Sequence, residues 1–179
     1  KLIEDGVEQL EYEFVFSHDE YGKPLIAFKH CKFYDRRKLA WKGIIHEILQ
    51  GEAKRAYAPE SVIKLEHWQN HETNRTGYLR GLALDCYENP ENDRNIHYFG
   101  RELFWAGRPR SAIRELAHHV DMDRWPAERA QSCLFIGDAH MQLGEEEQGL
   151  SWYHRAQLID GNRRAPLIKL AEHYFKKNE

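Results

Sequence analysis

Ile96-His97-Tyr98-Phe99-Gly100-Arg101-Glu102-Leu103 can be laid over Cys133-Leu134-Phe135-Ile136-Gly137-Asp138-Ala139-His140, and both over Leu167-Ile168-Lys169-Leu170-Ala171-Glu172-His173-Tyr174. The small residues Gly100, Gly137 and Ala171 lie 37 and 34 positions apart, with large apolar residues at matching places around them. A small residue lets two helices approach closely, while the large residues three or four positions away fill the groove between them. Gly107 and Gly144 each fall seven positions after a small residue, where a hairpin turn calls for positive φ. Ala112-x-x-x-Leu116 and Gly149-x-x-x-Tyr153-x-x-Ala156 then supply the second helix of each unit. No such unit buries its face alone, so units of this kind stack.

The pattern resembles the tetratricopeptide repeat (TPR) over residues 95 to 179. It departs from that repeat at three places. Gly149 stands where alanine is usual, bulky His119 stands where a small residue is common, and Trp125-Pro126-Ala127 lengthens one turn. The last unit has only its first helix, which would serve as a cap. Leu79 to Asn89, stopped by Pro90, reads as the closing helix of a degenerate earlier unit. The alternative is an irregular helical bundle.

Upstream the period changes. Leu10, Tyr12, Phe14 and Phe16 alternate with polar residues, and the run from Leu25 to Tyr34 follows a turn containing Gly22 and Pro24, which reads as a β-hairpin. In Gly43 to Gln50, Ile44, Ile45, Ile48 and Leu49 fall on one arc at about 100° per residue, the spacing of a short amphipathic helix. A polar, His-rich stretch from Ser61 to about Arg75 separates this region from the helical one without a Gly/Ser linker, so the two parts are expected to pack together. The expected fold is mainly α: TPR-like helical hairpins at residues 69–179, preceded by a small α+β segment of hairpin plus short helix at residues 1–68.

Composition narrows the function classes. Of 179 residues, 41% are hydrophobic and 31% charged, which fits a soluble globular chain better than a disordered one or a membrane bundle. A net charge of −3 gives no global attraction for nucleic acid or anionic lipid, so neither is expected as a partner. No window approaches the roughly 20 apolar residues that span a bilayer. Cys31, Cys86 and Cys133 are far apart and odd in number, which points to a reducing compartment and a cytoplasmic location rather than a disulfide frame. The chain starts at Lys1, and Leu2, Ile3 and Val7 read as the end of a helix already under way, the mark of a fragment of something longer.

The segment Trp41-Lys42-Gly43-Ile44-Ile45-His46-Glu47 follows a strand and an Arg-rich turn, and is preceded by Asp19-Glu20-Tyr21-Gly22-Lys23-Pro24. W-x-G-x-[IV]-H-E after D-x-x-G-x-P, with TPR-like helices behind, resembles the C-terminal part of family-2 glycosyltransferases that carry such repeats. The resemblance implies a parent enzyme of GT-A type that transfers sugar from a nucleotide-sugar donor, with Mg²⁺ or Mn²⁺ on the diphosphate. Such a reaction needs a carboxylate to take the acceptor proton and a cation for the leaving group. By position, Glu47 would be the catalytic carboxylate and His46 a metal ligand. Trp41 would meet the sugar, and Arg36, Arg37 and Lys42 would meet phosphate. The nucleotide-binding parallel sheet is not in this sequence, so this chain alone is expected to hold no metal and to be inactive.

Each of these residues also has a plainer reading. His46 and Glu47 opposite an apolar arc fit a solvated helix face, the basic run fits a protected sheet edge, and Trp41 fits a core. Asp121-Met122-Asp123 spells D-x-D but follows a repeat helix, so it reads as a solvated turn. His18-Asp19-Glu20 reads as part of the hairpin turn. His67-x-x-x-His71 has zinc spacing but no third ligand and no glutamate at the second place. The second reading of the chain is therefore a stand-alone TPR interaction module that binds a protein or peptide through its first helices. Tyr98, Arg101, Trp105 and His140 are the candidate partner-binding residues, and dimerisation is left open.

Overall fold

The computed structural model describes residues 5–45, 47–68 and 77–177. The chain divides into two compact units at residues 74 and 75.

The first unit is built on a long antiparallel pair, β1 (Gln9–His18) and β2 (Pro24–Tyr34), in which Phe14 faces Phe28 and Tyr12 faces His30. Asp19 closes the turn between them: its carboxylate accepts the amides of Tyr21 and Lys23 at 2.9 and 2.8 Å, and Gly22 takes φ +77°. The other edge of β1 carries two short parallel strands. β5 (Arg55–Tyr57) pairs with Gln9 to Glu11, and β6 (Lys64–Glu66) with Glu13 to Val15. The small core contains Tyr12, Val15, Leu39 and Ala58.

The helix expected at residues 43–50 is not formed. Its place is taken by a hairpin of β3 (Ala40–Lys42) and β4 (Ile48–Gln50), with Trp41 opposite Leu49. Two glycines explain the difference. Gly43 has φ +101° and Gly51 φ +135°, and a Cβ on Gly51 would stand 2.4 Å from the Lys38 carbonyl. Fewer than ten residues between such breaks cannot offset helix nucleation, and β-branched isoleucines prefer the extended chain. The polar stretch after Ser61 contains the strand β6.

Among its described residues the second unit holds six helices: α1 (Tyr78–Glu88), α2 (Asp93–Trp105), α3 (Pro109–Asp121), α4 (Pro126–Gln142), α5 (Glu146–Ile159) and α6 (Arg164–Lys177). Asn92 caps α2 by accepting the Asn95 amide at 3.2 Å, and proline occupies the first turn of α3 and α4, where its missing N–H costs nothing. The α2 and α4 ends are built alike. Gly107 and Gly144 take φ +70° and +74°. The following residues, Arg108 and Glu145, each donate back to the carbonyl five positions earlier at 2.9 Å.

Leu103, Ala112, Leu116, Cys133, Ile136, Tyr153 and Ala156 form the buried core of the hairpins. The repeat glycines lie where helices touch. A Cβ on Gly100 would meet Leu116 at 2.5 Å, and one on Gly137 would meet the Tyr153 ring at 2.4 Å. Gly149 is explained by the same contact: its own Cβ would come within 3.1 Å of the Gly137 carbonyl. The unit is thus a set of TPR-like helical hairpins, and the chain is mainly helical with a small strand region before it. No helix among the described residues is long and apolar enough to cross a membrane.

Candidate functional site

Within α2, Tyr98, Arg101 and Trp105 follow one another at helical spacing, and the structure brings them together. The Arg101 guanidinium stands 4.6 Å from the centre of the Tyr98 ring and 4.8 Å from that of Trp105. A cation over two rings orders all three side chains. Arg94 adds a donor from Nε to the Tyr98 hydroxyl at 3.1 Å. From α4, Phe135 packs on Phe104 at 5.6 Å and edge-on against Trp105 at 5.9 Å, yet 55% of Trp105 remains exposed. The result is an aromatic and cationic patch that spans two first helices.

Beside it lies a cavity of about 420 Å³, lined by Phe104, Asp138, Met141, Gln142, Tyr153 and, from α6, Lys169, Glu172, His173 and Lys176. Asp138 organises its floor. Its Oδ1 accepts the Tyr153 hydroxyl at 2.6 Å and pairs with Lys169 Nζ at 2.8 Å. Burial first, then the Asp138 acceptor, holds the Tyr153 hydroxyl well above the usual phenol range, so it stays a donor.

His140 does not join this group. Its Nδ1 lies 2.7 Å from Glu145 Oε2 and its side chain is largely buried, so it ties the end of α4 to the next turn. Phe135, Asp138, Lys169, Glu172 and Lys176 escaped the sequence reading although a signal was present. Tyr98, Phe135 and Lys169 are related by the repeat offsets, as are Arg101, Asp138 and Glu172, and Trp105, Gln142 and Lys176.

The residues expected to handle a nucleotide sugar fall in the first unit. His46 lies outside the described residues. Glu47 is exposed, next to β4. Trp41 packs edge-on against Tyr34 at 5.8 Å. Arg37 is bound to Asp35 by a double ion pair, with Nη2 to Oδ2 at 2.6 Å, and this holds the Asp35 carboxyl well below the usual carboxylate range. Arg36 and Lys42 are exposed. A cavity of about 840 Å³ takes in Arg37 and Lys38 with residues of β1 and β2, and Trp41, Lys42 and Glu47 are not part of its lining.

The motif-like groups resolve as local structure. Asp121 pairs with Arg155 at 3.3 Å and Asp123 with Arg129, both near α-helix ends. His18 stacks on Trp68 at 4.1 Å, and His67 stacks on Phe16; His71 lies outside the described residues.

No family model matches the chain, and no curated protein matches it. Solved structures do. The structure of MamA superposes with a TM-score of 0.50 at 18% identity, covering 63% of this chain and 68% of that one. The N-terminal domain of stress-induced protein-1 (STI-1) from C. elegans gives 0.48 at 13% identity, covering 52% of this chain and 76% of that one. The class defined by the fold is that of TPR-type helical-repeat proteins. Neither of these two structures is described as a glycosyltransferase.

Proposed function

We propose that this chain is a protein-interaction module, in which the first helices of the hairpins hold an extended peptide or a partner helix. The observation that carries the reading is the ordered, half-exposed Trp105 beside Arg101, continuous along the repeat with the cavity of Asp138, Lys169 and Lys176. Aromatic and arginine side chains held in place before binding lose little entropy when a partner arrives, which is why they dominate binding energy at interfaces. A partner segment with an apolar anchor for the Phe104, Trp105 and Phe135 patch and a polar or acidic group for the Lys169 and Lys176 end fits this surface best. The glycosyltransferase reading rests on the order of D-x-x-G-x-P, W-x-G-x-[IV]-H-E and TPR-like helices in the sequence, and the helices serve the interaction reading equally.

Peptides selected from a random display library against the full chain test this. Their binding should fall roughly tenfold or more with Trp105→Ala, in line with the loss of a central aromatic anchor, and should weaken with Lys169→Glu. Peptides that bind both variants as well as the original chain would defeat the proposal.

A further inference from the structure

A second set of side chains sits at the junction of α2, α3 and α4 and has no part in the peptide-binding reading. His119, in the repeat position where a small residue is usual, is fully buried. Its Nδ1 lies 2.9 Å from Ser132 Oγ, and the same hydroxyl lies 2.7 Å from His97 Nδ1. One hydroxyl between two imidazoles can donate to one and accept from the other, so one ring must present Nδ1–H and the other a bare Nδ1. Burial, reinforced by the neighbouring His119, pushes His97 down to about 3, and burial also lowers His119, so both rings are neutral at pH 7.

The far nitrogen of His119 is the unexplained atom. Nε2 is buried and has no hydrogen-bond partner. Glu128 Oε2, in the first turn of α4, is the nearest acidic atom at 3.9 Å, too far for a hydrogen bond. Asp93, in the first turn of α2, completes the group, with ligand atoms of all three residues within 4.8 Å of one another. Among the described residues, no lysine or arginine lies within ion-pair distance of Asp93 or Glu128. Arg94 and Arg101 are close enough to act on the Glu128 carboxyl, but their guanidinium groups are placed over the Tyr98 ring.

We propose that Asp93, His119 and Glu128 bind a divalent transition-metal cation of the zinc type. In the tautomer that donates Nδ1–H to Ser132, three acceptors converge with no donor among them: an imidazole lone pair and two carboxylates. A cation satisfies all three at once. The Ser132 contact then acts as the outer hydrogen bond that commonly fixes a metal-binding histidine. Neutral imidazole with carboxylate oxygens selects zinc and its neighbours over calcium or magnesium. Bond lengths of about 2.0–2.2 Å require the ligand atoms to draw together by roughly an ångström. The two carboxylates lie on the first turns of α2 and α4, both part-buried, and rotation of their side chains can supply that movement. Three protein ligands leave a fourth position for water.

Calorimetric titration of the chelator-treated full chain with Zn²⁺, and absorption spectroscopy with Co²⁺ in its place, test the site. One ion per chain is expected, with Co²⁺ giving ligand-field bands. Glu128→Gln and Asp93→Asn should each weaken Zn²⁺ binding roughly tenfold or more while leaving the metal-free far-ultraviolet spectrum unchanged. A rise in Tm with Zn²⁺ should appear in the original chain and be lost in both variants. These substitutions keep His119 in place, so a buried histidine's role in folding does not confuse the outcome. Zinc binding that is absent, or that is unchanged in both variants, overturns the proposal; the second result would place the metal elsewhere, such as at the His67 segment.

Discussion

The two units of this chain spend their apolar residues differently. In the helical unit the contact surface is hidden: Leu116, Ile136 and Ala156 are fully buried, and glycines at 100, 137 and 149 let the helices meet almost backbone to backbone. In the strand unit much of it is outside. Along β2, Leu25 is 65% exposed and Phe28 44%, while β1 buries Tyr12 and Val15. A helical hairpin closes its groove from both sides, whereas β2 is exposed at every residue from Pro24 to Lys29, on both of its faces. The apolar residues therefore fill a larger core in the helical unit, although that unit too leaves Tyr87, Leu158 and Phe175 exposed.

The sharpest way to break this contrast is to cut into the helical core. Leu116→Ala should cost about 3 kcal/mol, since a fully buried leucine loses its transfer energy and leaves a cavity. Urea unfolding followed by the helical far-ultraviolet signal measures it. Gly137→Ala should come next. Alanine is the better helix former by about 1 kcal/mol, but its methyl would meet the Tyr153 ring and the Gly149 carbonyl, and overpacking of this kind costs about 1–3 kcal/mol. The expected net effect is a loss, and a gain in the same urea experiment would mean that the contact is looser than its geometry.

On the strand unit, Phe28→Ala should cost less than about 1 kcal/mol, because it removes a half-exposed ring whose aromatic contacts are the edge-on Phe14 and the tilted Phe16 and His30. Hydrogen exchange of the β1 and β2 amides would show it. A loss as large as that of Leu116→Ala would erase the comparison. The smallest effect is on pH dependence. Glu145 is held below its ordinary value of about 4.5, first by His140 and also by Arg110. A depressed carboxyl contributes stability that is present above its unfolded pKa and lost as pH falls through the folded one. Glu145→Gln should therefore slightly flatten the acid limb of a Tm-against-pH curve below about pH 4.5 and leave the neutral region almost unchanged.

What could be read from the sequence follows the same division. The hairpins were legible because close approach forces small residues at fixed offsets, and the turn glycines obey the same period. The β1–β2 pair was legible from alternation. The segment from Gly43 to Gln50 misled because its isoleucines fit a helical arc over a length too short to tell an arc from a hairpin. β5 and β6 are three residues each and exist only because the edge of β1 is there to pair with them. At the candidate site, Tyr98, Arg101 and Trp105 could be chosen by helical spacing alone, whereas Phe135 and Lys169 required that the repeat offset be applied to the site as well as to the core. His119 stood out as an anomaly in the pattern. That Ser132, His97, Asp93 and Glu128 surround it depends on three helices meeting, which no local period encodes.

Gly137 and Gly149 face each other across α4 and α5, with no spare volume between them. An added atom at Gly137 would displace the Tyr153 ring, and one at Gly149 would displace Met141 and press on the Gly137 carbonyl, so a change on one side of this crossing calls for a matching change across it. Any attempt to re-engineer the module by grafting helices from other repeats will have to transplant the two helices together.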